Sequence, residues 1–450
     1  MKKVKQVFSG AETATNGVLS ERVLPRAEHG ISRRDINDNA LKVLYRLHNA
    51  GFEAYLVGGC VRDLLLGQTP KDFDVVTNAE PEQVKALFRN CRLIGRRFRL
   101  AHVMFGREII EVATFRGHHQ EDESLGKQSS HGQILRDNVF GTIQEDAERR
   151  DFTINAMYYN IADFSIRDFA NGIKAIEQRK IALIGDPETR YREDPVRMLR
   201  AIRFAAKLDM QIDDATAKPI KTLASLLANI PPARLFEEII KLFISGSGLK
   251  TLRLLQEYHL LDPLFPILTP LLNDPNSKEN AFLEQVMRNT DQRVNSDQRV
   301  TPAFVYAALL WFPVEERCQT LMMEGGFNSY DAFNLAMGDV LDRQIQRIMI
   351  PKRFTSVIRE IWQLQQRFPK RFGRRTYQIL EHPRFRAAYD FLLIRAEIEG
   401  GELEILAQWW TDFQQAKPEE RKQMLTALRN NESAPPKRKR RFRNKKPPRQ

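Results

Sequence analysis

Cysteine is scarce in this 450-residue chain. The three present, Cys60, Cys91 and Cys318, are too widely spaced for a disulfide framework or a zinc-binding pattern. No run of about 18 apolar residues occurs, so no membrane span is expected. Lysines near the N-terminus are not followed by the apolar stretch of a secretion signal. These absences point to a reducing, cytoplasmic setting. Positive charge, by contrast, is plentiful: 70 Lys and Arg against 57 Asp and Glu give a net +13, which favours a polyanionic partner. Nine of the basic residues, and no acid, lie within 437–450; subtracting them leaves +4 for the rest. With 42% apolar and 28% charged residues, a chain of this length reads as soluble and divided into two to four domains.

The stretch Lys71-Asp72-Phe73-Asp74 is the first candidate for chemistry. On a strand, side chains alternate with period two, so Asp72 and Asp74 share a face. Two like charges so close need a counter-charge, and a divalent cation shared with phosphate oxygens supplies one. A solvated Asp-x-Asp at a strand end is the competing reading. Upstream, a strand over Glu53–Val57 runs into Gly58-Gly59 and then a short helix through Val61, Leu64 and Leu65 to Gly67. The bare N–H groups of such a turn can hold phosphate oxygens, or the turn is only a turn. The pair itself lies on an expected strand, Asp72–Val76. A further strand, Glu108–Phe115, carries Glu111, a third carboxylate for the pair or an ordinary outward acid. Strands near Arg92–Ile94 and Ala101–Phe105 and a helix opened by Pro81 fill out a small α/β unit. Ahead of it, Ser32 and Asp35 make a capping-box pattern. Ile36, Ala40, Val43, Leu44 and Leu47 then mark one helical face, and Gly51 closes the segment.

Residues 1–31 lack periodicity and read as a mobile leader, and 117–140 as a mobile loop. His118-His119 in that loop is a metal-binding or merely solvated pair. The run Arg149-Arg150-Asp151-Phe152-Thr153-Ile154-Asn155-Ala156 is either a surface ion-pair cluster or, beside a phosphate site, a means of neutralising a triphosphate. Pro195 fits the first turn of a helix reaching about Leu208. That helix sets Arg197, Arg200, Arg203 and Lys207 on one face and Leu199, Ile202 and Ala206 on the other. The stripe is a solvated face, or, with Glu193 and Asp194 beside it, a protein template for a base. From Thr216 the pattern is almost wholly helical, with helices expected over 233–243 and around 249–260, 281–290, 302–311, 355–367, 384–399 and 402–415. Lys352-Arg353, Lys370-Arg371 and Arg374-Arg375 lie near Phe354, Phe372 and Tyr377. Basic and aromatic side chains together suit single-stranded RNA, although arginines packed along core aromatics give the same pattern. The segment from Pro435 to Lys446 is too biased to build a core and reads as disordered and polyanion-seeking.

In this order, Leu56-Val57-Gly58-Gly59-Cys60-Val61-Arg62-Asp63, Lys71-Asp72-Phe73-Asp74, the Arg149–Ala156 run and Glu193-Asp194-Pro195-Val196-Arg197 resemble a known signature. It is that of the nucleotidyltransferase superfamily shared by tRNA CCA-adding enzymes and bacterial poly(A) polymerases. Gly95-Arg96-Arg97-Phe98-Arg99-Leu100-Ala101-His102-Val103, Pro351-Lys352-Arg353-Phe354-Thr355 and the basic tail are similar to the polymerase branch. Cys60 departs from it, standing where Gly is common. The resemblance implies an α+β fold: a small N-terminal, polymerase-β-like head with a mixed sheet, then a mostly helical neck, body and C-terminal region with a disordered basic tail. The implied divisions are leader 1–31, head 32–170, nucleotide-selecting neck 171–245, RNA-binding body 246–430 and tail 431–450.

The implied activity is template-independent transfer of AMP from ATP to RNA 3′ ends, supported by two Mg²⁺ ions, with Mn²⁺ as a substitute. Asp72, Asp74 and Asp151 are the implied catalytic acids, the first two holding metal and Glu111 rivalling Asp151 for direct metal contact. Gly58, Gly59 and Arg62 would hold the triphosphate, and Arg150 and Asn155 join the nucleotide site. Asp194 and Arg197 would read adenine, with Arg200 and Arg203 lining the pocket. RNA 3′ ends, ATP and proteins of RNA decay or RNA chaperoning are the implied partners of a cytoplasmic monomer. CCA addition to tRNA, and an inactive RNA-binding protein with the same head, are the alternatives.

Overall fold

Two four-residue strands, β2 (Ala54–Val57) and β7 (Met157–Asn160), are buried along their whole length and lie side by side inside the first of two units. In the computed structural model, residues 21–95, 99–117 and 139–431 are described, and the chain divides into units Met1–Leu223 and Ala224–Gln450. Around the two buried strands lie β1 (Arg22–Leu24), β3 (Asp74–Thr77), β4 (Cys91–Ile94), β5 (Leu100–Phe105), β6 (Glu108–Thr114) and β8 (Ile166–Asp168). They form one eight-stranded sheet in the order β1-β8-β7-β2-β3-β6-β5-β4. The β3–β6 pair is parallel, whereas the other neighbours run antiparallel.

Strand alternation decides what each face of the sheet carries. Leu56, Val75, Val103 and Val112 point to one side, where α1 (Asp38–Asn49), α2 (Gly59–Leu65) and α3 (Pro81–Leu87) close a core around Val43, Leu44, Leu47, Val61 and Val84. Tyr55, Val57 and Val76 point to the other, against Phe115, Tyr158, Phe169 and Ala147 of α4 (Ile143–Arg149). Beyond the sheet, α5 (Gly172–Glu177) and α6 (Pro187–Glu193) lead to α7 (Val196–Leu208). In α7, Met198, Leu199, Ala201, Ile202 and Ala205 are buried, while Arg197, Arg200 and Arg203 are half-buried and Lys207 is exposed, as the helical period predicts.

Several boundaries differ from the sequence reading. The strand expected over Asp72–Val76 begins at Asp74, so Asp72 lies in the approach to β3. Ser32 and Asp35 do make a capping box, but it opens a 3-10 turn, Arg33–Asp35; α1 starts later, with the Asn37 side chain accepting from the Asn39 and Ala40 amides. The leader read over 1–31 ends earlier, because Arg22–Leu24 pairs with β8 as an edge strand and Ile31 is buried. Three residues are too few to display a period. Strands β7 and β8 also go beyond the sequence reading: β7 is buried on both faces and shows no alternation, and β8, like β1, has only three residues. Residues 1–20, Arg96–Phe98, the His118-His119 pair with most of the 117–140 loop, and the tail from 432 lie outside the described residues.

Among its described residues the second unit is helical. Its longest helices are Lys278–Asn295, Trp311–Gly325, Ser329–Arg347, Lys352–Arg367 and Phe385–Glu399. Trp311–Gly325 and Ser329–Arg347 went unread in the sequence. Large aromatics bind the helices together: Phe236 stacks on Tyr306, and Trp410 packs edge-on to Phe368 while its indole N–H donates to the Phe368 carbonyl at 3.1 Å. No described helix is long and apolar enough to cross a membrane.

Candidate active site

The acids lie where β3 and β6 run side by side. Val75 pairs with Val112, so the preceding residues, Asp74 and Glu111, are neighbours on the face opposite those valines. His102, across from Glu111 on β5, brings its Nε2 to 3.3 Å from Glu111 Oε1. Asp74 keeps its tip open to solvent, as does Asp72. The atoms packed around Asp74, then the Glu111 charge, push its pKa up to about 6; Arg150 opposes the shift and Asp72 adds to it. Desolvation and the acidic neighbours both disfavour the charged form of Asp74. Among the described residues, no three His, Cys, Asp or Glu side chains converge into a metal cage. An all-oxygen set of one or two carboxylates plus substrate phosphates is nonetheless how Mg²⁺ is usually held, and Asp72 and Asp74 fit that donor set.

Facing the acids is a cationic wall. The chain leaves β2 through Gly58, whose φ of +78° is open to glycine at little cost, and α2 follows at once. A Cβ at Gly58 would stand 3.6 Å from Nη1 of Arg150. That guanidinium is fixed from behind: Asp146 Oδ2 accepts from Nε at 3.1 Å and Nη2 at 3.0 Å, and the Tyr158 hydroxyl accepts from Nε at 3.0 Å. Tyr158 in turn donates to Asp146 at 2.8 Å. Burial works against the Arg150 charge, yet Tyr158 and Asp146 outweigh it and raise the pKa above the ordinary arginine value. Cys60, the departure from Gly, is buried with its thiol directed to the Val57 carbonyl at 3.2 Å, and it blocks nothing.

A second network joins this wall to α7. Asp151 accepts from the Phe152 amide at 2.8 Å, from Asn155 Nδ2 at 3.3 Å and from Arg200 Nε at 2.6 Å. Burial pushes the Asp151 carboxyl up, but Arg200, Asn155 and the Phe152 amide outweigh that and hold it below its usual value. Asn155 Oδ1 accepts from Arg62 Nη1 at 2.7 Å, while Arg62 Nε and Nη2 donate to Asp63. Arg62, Arg200 and Arg203 all lie over the Phe204 ring, at 5.3, 5.5 and 5.0 Å from its centroid. Asp194 accepts from the Val196 amide at 3.2 Å at the start of α7, and Arg197 Nη1 donates to Glu193 at 2.8 Å. A concavity of about 840 Å³, lined by Lys42, Tyr45, Arg46, Phe88 and Phe105, is on the other side of the sheet and holds none of these groups.

Three family models match the chain: a "Poly A polymerase head domain" over residues 54–182, a "Probable RNA and SrmB- binding site of polymerase A" over 209–272 and a "Polymerase A arginine-rich C-terminus" over 325–446. Poly(A) polymerase I of Escherichia coli O157:H7 is 58% identical over 411 residues, spanning 90% of this chain and 88% of that protein. The chain belongs to the poly(A) polymerase I family. The Haemophilus influenzae member is 52% identical over 412 residues, with 90% of both chains covered. A CCA-adding enzyme of Lactobacillus helveticus is 38% identical over 210 residues, 47% of this chain and 51% of that one. The fold is shared with the Bacillus stearothermophilus CCA-adding enzyme solved with CTP (TM-score 0.55, 24% identity, 86% of this chain and 82% of that one). It is shared as well with a CCA-adding enzyme solved with ATP (TM-score 0.59, 21% identity, 90% and 88%).

Within this poly(A) polymerase I family head, Asp72 and Asp74 occupy one place with Glu111, and Gly58 and Gly59 lie close to Arg150 and Arg62. Arg62 and Asn155 are 4% and 7% exposed and engaged with each other. Asp151 is engaged by Arg200, Asn155 and the Phe152 amide. Three neighbours of these residues were missed in the sequence: Asp146, Tyr158 and Phe204. Only Asp146 had a legible signal, its position four residues before Arg150 on one helical face.

Proposed function

We propose that this chain adds AMP from ATP, without a template, to the 3′ end of RNA and releases pyrophosphate. The observation that carries this reading is the face shared by Asp74 and Glu111, confronted by Arg150 at the Gly58-Gly59 turn and braced to the arginine stripe of α7. Mg²⁺ held by Asp72 and Asp74, two ions in the full arrangement, would supply Lewis-acid chemistry, making the RNA 3′-hydroxyl a better nucleophile and countering charge on the phosphates. The protein's own part is positioning. Backbone N–H groups of Gly58 and Gly59 and the Arg150 guanidinium grip the triphosphate, with Arg150 kept charged and oriented by Asp146 and Tyr158.

Asp151 is an essential acid of this scheme that works through Arg200, and Arg62 and Asn155 carry the same bracing to α2. Asp194 and Arg197 read the adenine edge at the start of α7, where Arg200 and Arg203 line the base pocket. RNA is held beyond the head by residues 209–272, by the helical body and by the basic tail. The three cysteines are free and buried, which suits a cytoplasmic protein.

The test supplies Mg²⁺ and one nucleotide at a time to the protein with a generic RNA and with a tRNA lacking its 3′ end. Long A-only extension of the generic RNA is expected. Ordered addition of C, C and A, confined to the tRNA, would replace the reading with CCA addition.

A further inference from the structure

Arg190, on α6, belongs to none of the motifs above, yet it touches both halves of the site. Its Nη2 donates to two consecutive backbone carbonyls, Arg149 at 3.0 Å and Arg150 at 2.7 Å. Its Nη1 donates to Glu193 Oε2 at 3.0 Å, the same oxygen that takes Arg197 Nη1 at 2.8 Å. The backbone carbonyl of Arg190 accepts from Arg197 Nη1 at 2.6 Å. One residue therefore fixes the base-side arginine with its main chain and the phosphate-side peptide with its side chain. The next residue of that peptide, Asp151, is gripped by Arg200 of α7. Arg190 and Arg200 thus hold three consecutive residues, 149–151, from two successive helices.

A role in packing alone sits poorly with the chemistry. Only 16% of the Arg190 side chain is exposed, its Nε is buried with no hydrogen-bond partner among the described residues, and a second arginine, Arg197, lies close by. Burial and that neighbour push its pKa down. An apolar side chain would fill the space without either penalty, but only a planar fork reaches two carbonyls and a carboxylate together.

We propose that Arg190 is a positioning residue that sets nucleotide choice, fixing the distance between the base-reading Arg197 and the phosphate-gripping Arg150. A purine and a pyrimidine nucleotide place their base edges at different distances from the triphosphate. A rigid spacing between the two arginines favours one, and a slack spacing accepts both. The proposal rests on the adenylation reading above.

The experiment measures kcat and KM for ATP and for CTP on a generic RNA with Mg²⁺, for the wild type, Arg190→Met and Arg190→Lys, with melting temperatures alongside. In Arg190→Met the ATP-over-CTP ratio of kcat/KM falls by about 10–100-fold, chiefly through KM for ATP. Arg190→Lys, which keeps the charge and a donor for the carbonyls, recovers part of that ratio. An unchanged ratio, or equal losses for both nucleotides, overturns the proposal. Should Arg190→Met not fold, Arg190→Lys decides alone: a ratio equal to wild type overturns the role and a reduced one supports it. A wild type with no preference for ATP overturns the adenylation reading and this proposal with it, whereas a preference that survives both variants overturns this proposal only.

Discussion

Asp74 and Glu111 are neighbours in a parallel strand pair with Asp72 close by, whereas Asp151 answers to Arg200. The four acids therefore fail differently when changed. Asp72→Ala lowers kcat for adenylation by at least about 10²–10³-fold, while RNA affinity in a filter-binding assay stays near wild type. Wild-type-like turnover would remove Asp72 from the metal site. Glu111→Gln raises the Mg²⁺ concentration needed for half-maximal rate by about 10–100-fold, as loss of an outer carboxylate usually does. Asp151→Asn leaves that Mg²⁺ requirement in place and raises KM for ATP instead, because Arg200 loses its charged partner. If the Mg²⁺ requirement moves with Asp151 and not with Glu111, the two assignments exchange.

At the scale of elements, the strand–turn–helix of β2, Gly58 and α2 brings the chain up against Arg150. Gly58→Ala places a methyl group on a residue at φ +78° and ψ −134°, an extended positive-φ conformation that costs a non-glycine residue about 1–3 kcal/mol, and seats it 3.6 Å from Arg150 Nη1. The head melts lower by a few degrees and KM for ATP rises about tenfold, measured by calorimetry and steady-state kinetics. Unchanged kinetics would place the triphosphate elsewhere. This element was legible in the sequence because glycine is the residue that such a turn needs. Helix α7 was legible because its stripe of arginines keeps the helical period over thirteen residues. Met157-Tyr158-Tyr159-Asn160 was not, since a strand buried on both faces has no alternation to read. Arg190 was equally hidden: its partners Arg149 and Arg150 are 41 and 40 residues away and contribute only backbone oxygens, which every residue has. That Glu111 stands beside Asp74 follows from the register of β3 against β6, information that resides in pairing and not in either segment alone.

Over the whole molecule, charge is uneven. Nine basic residues in the last fourteen outweigh the +4 left to the rest. Deleting 435–450 weakens RNA binding most at low salt and flattens the dependence of log affinity on log salt, by about 0.7 for each phosphate of a single strand that the tail neutralises. An unchanged slope in the truncated protein would mean that the tail does not touch RNA. Length matters in another way at the sheet's edge. Arg22 pairs with Asp168, and Glu21 takes a hydrogen bond from Arg167 across 146 positions of sequence. A ribosome working at about 5–20 residues per second makes β8 roughly 7–30 s after β1. For that interval β1 waits for β8, its partner among the described strands, and this edge of the sheet closes only when β8 emerges.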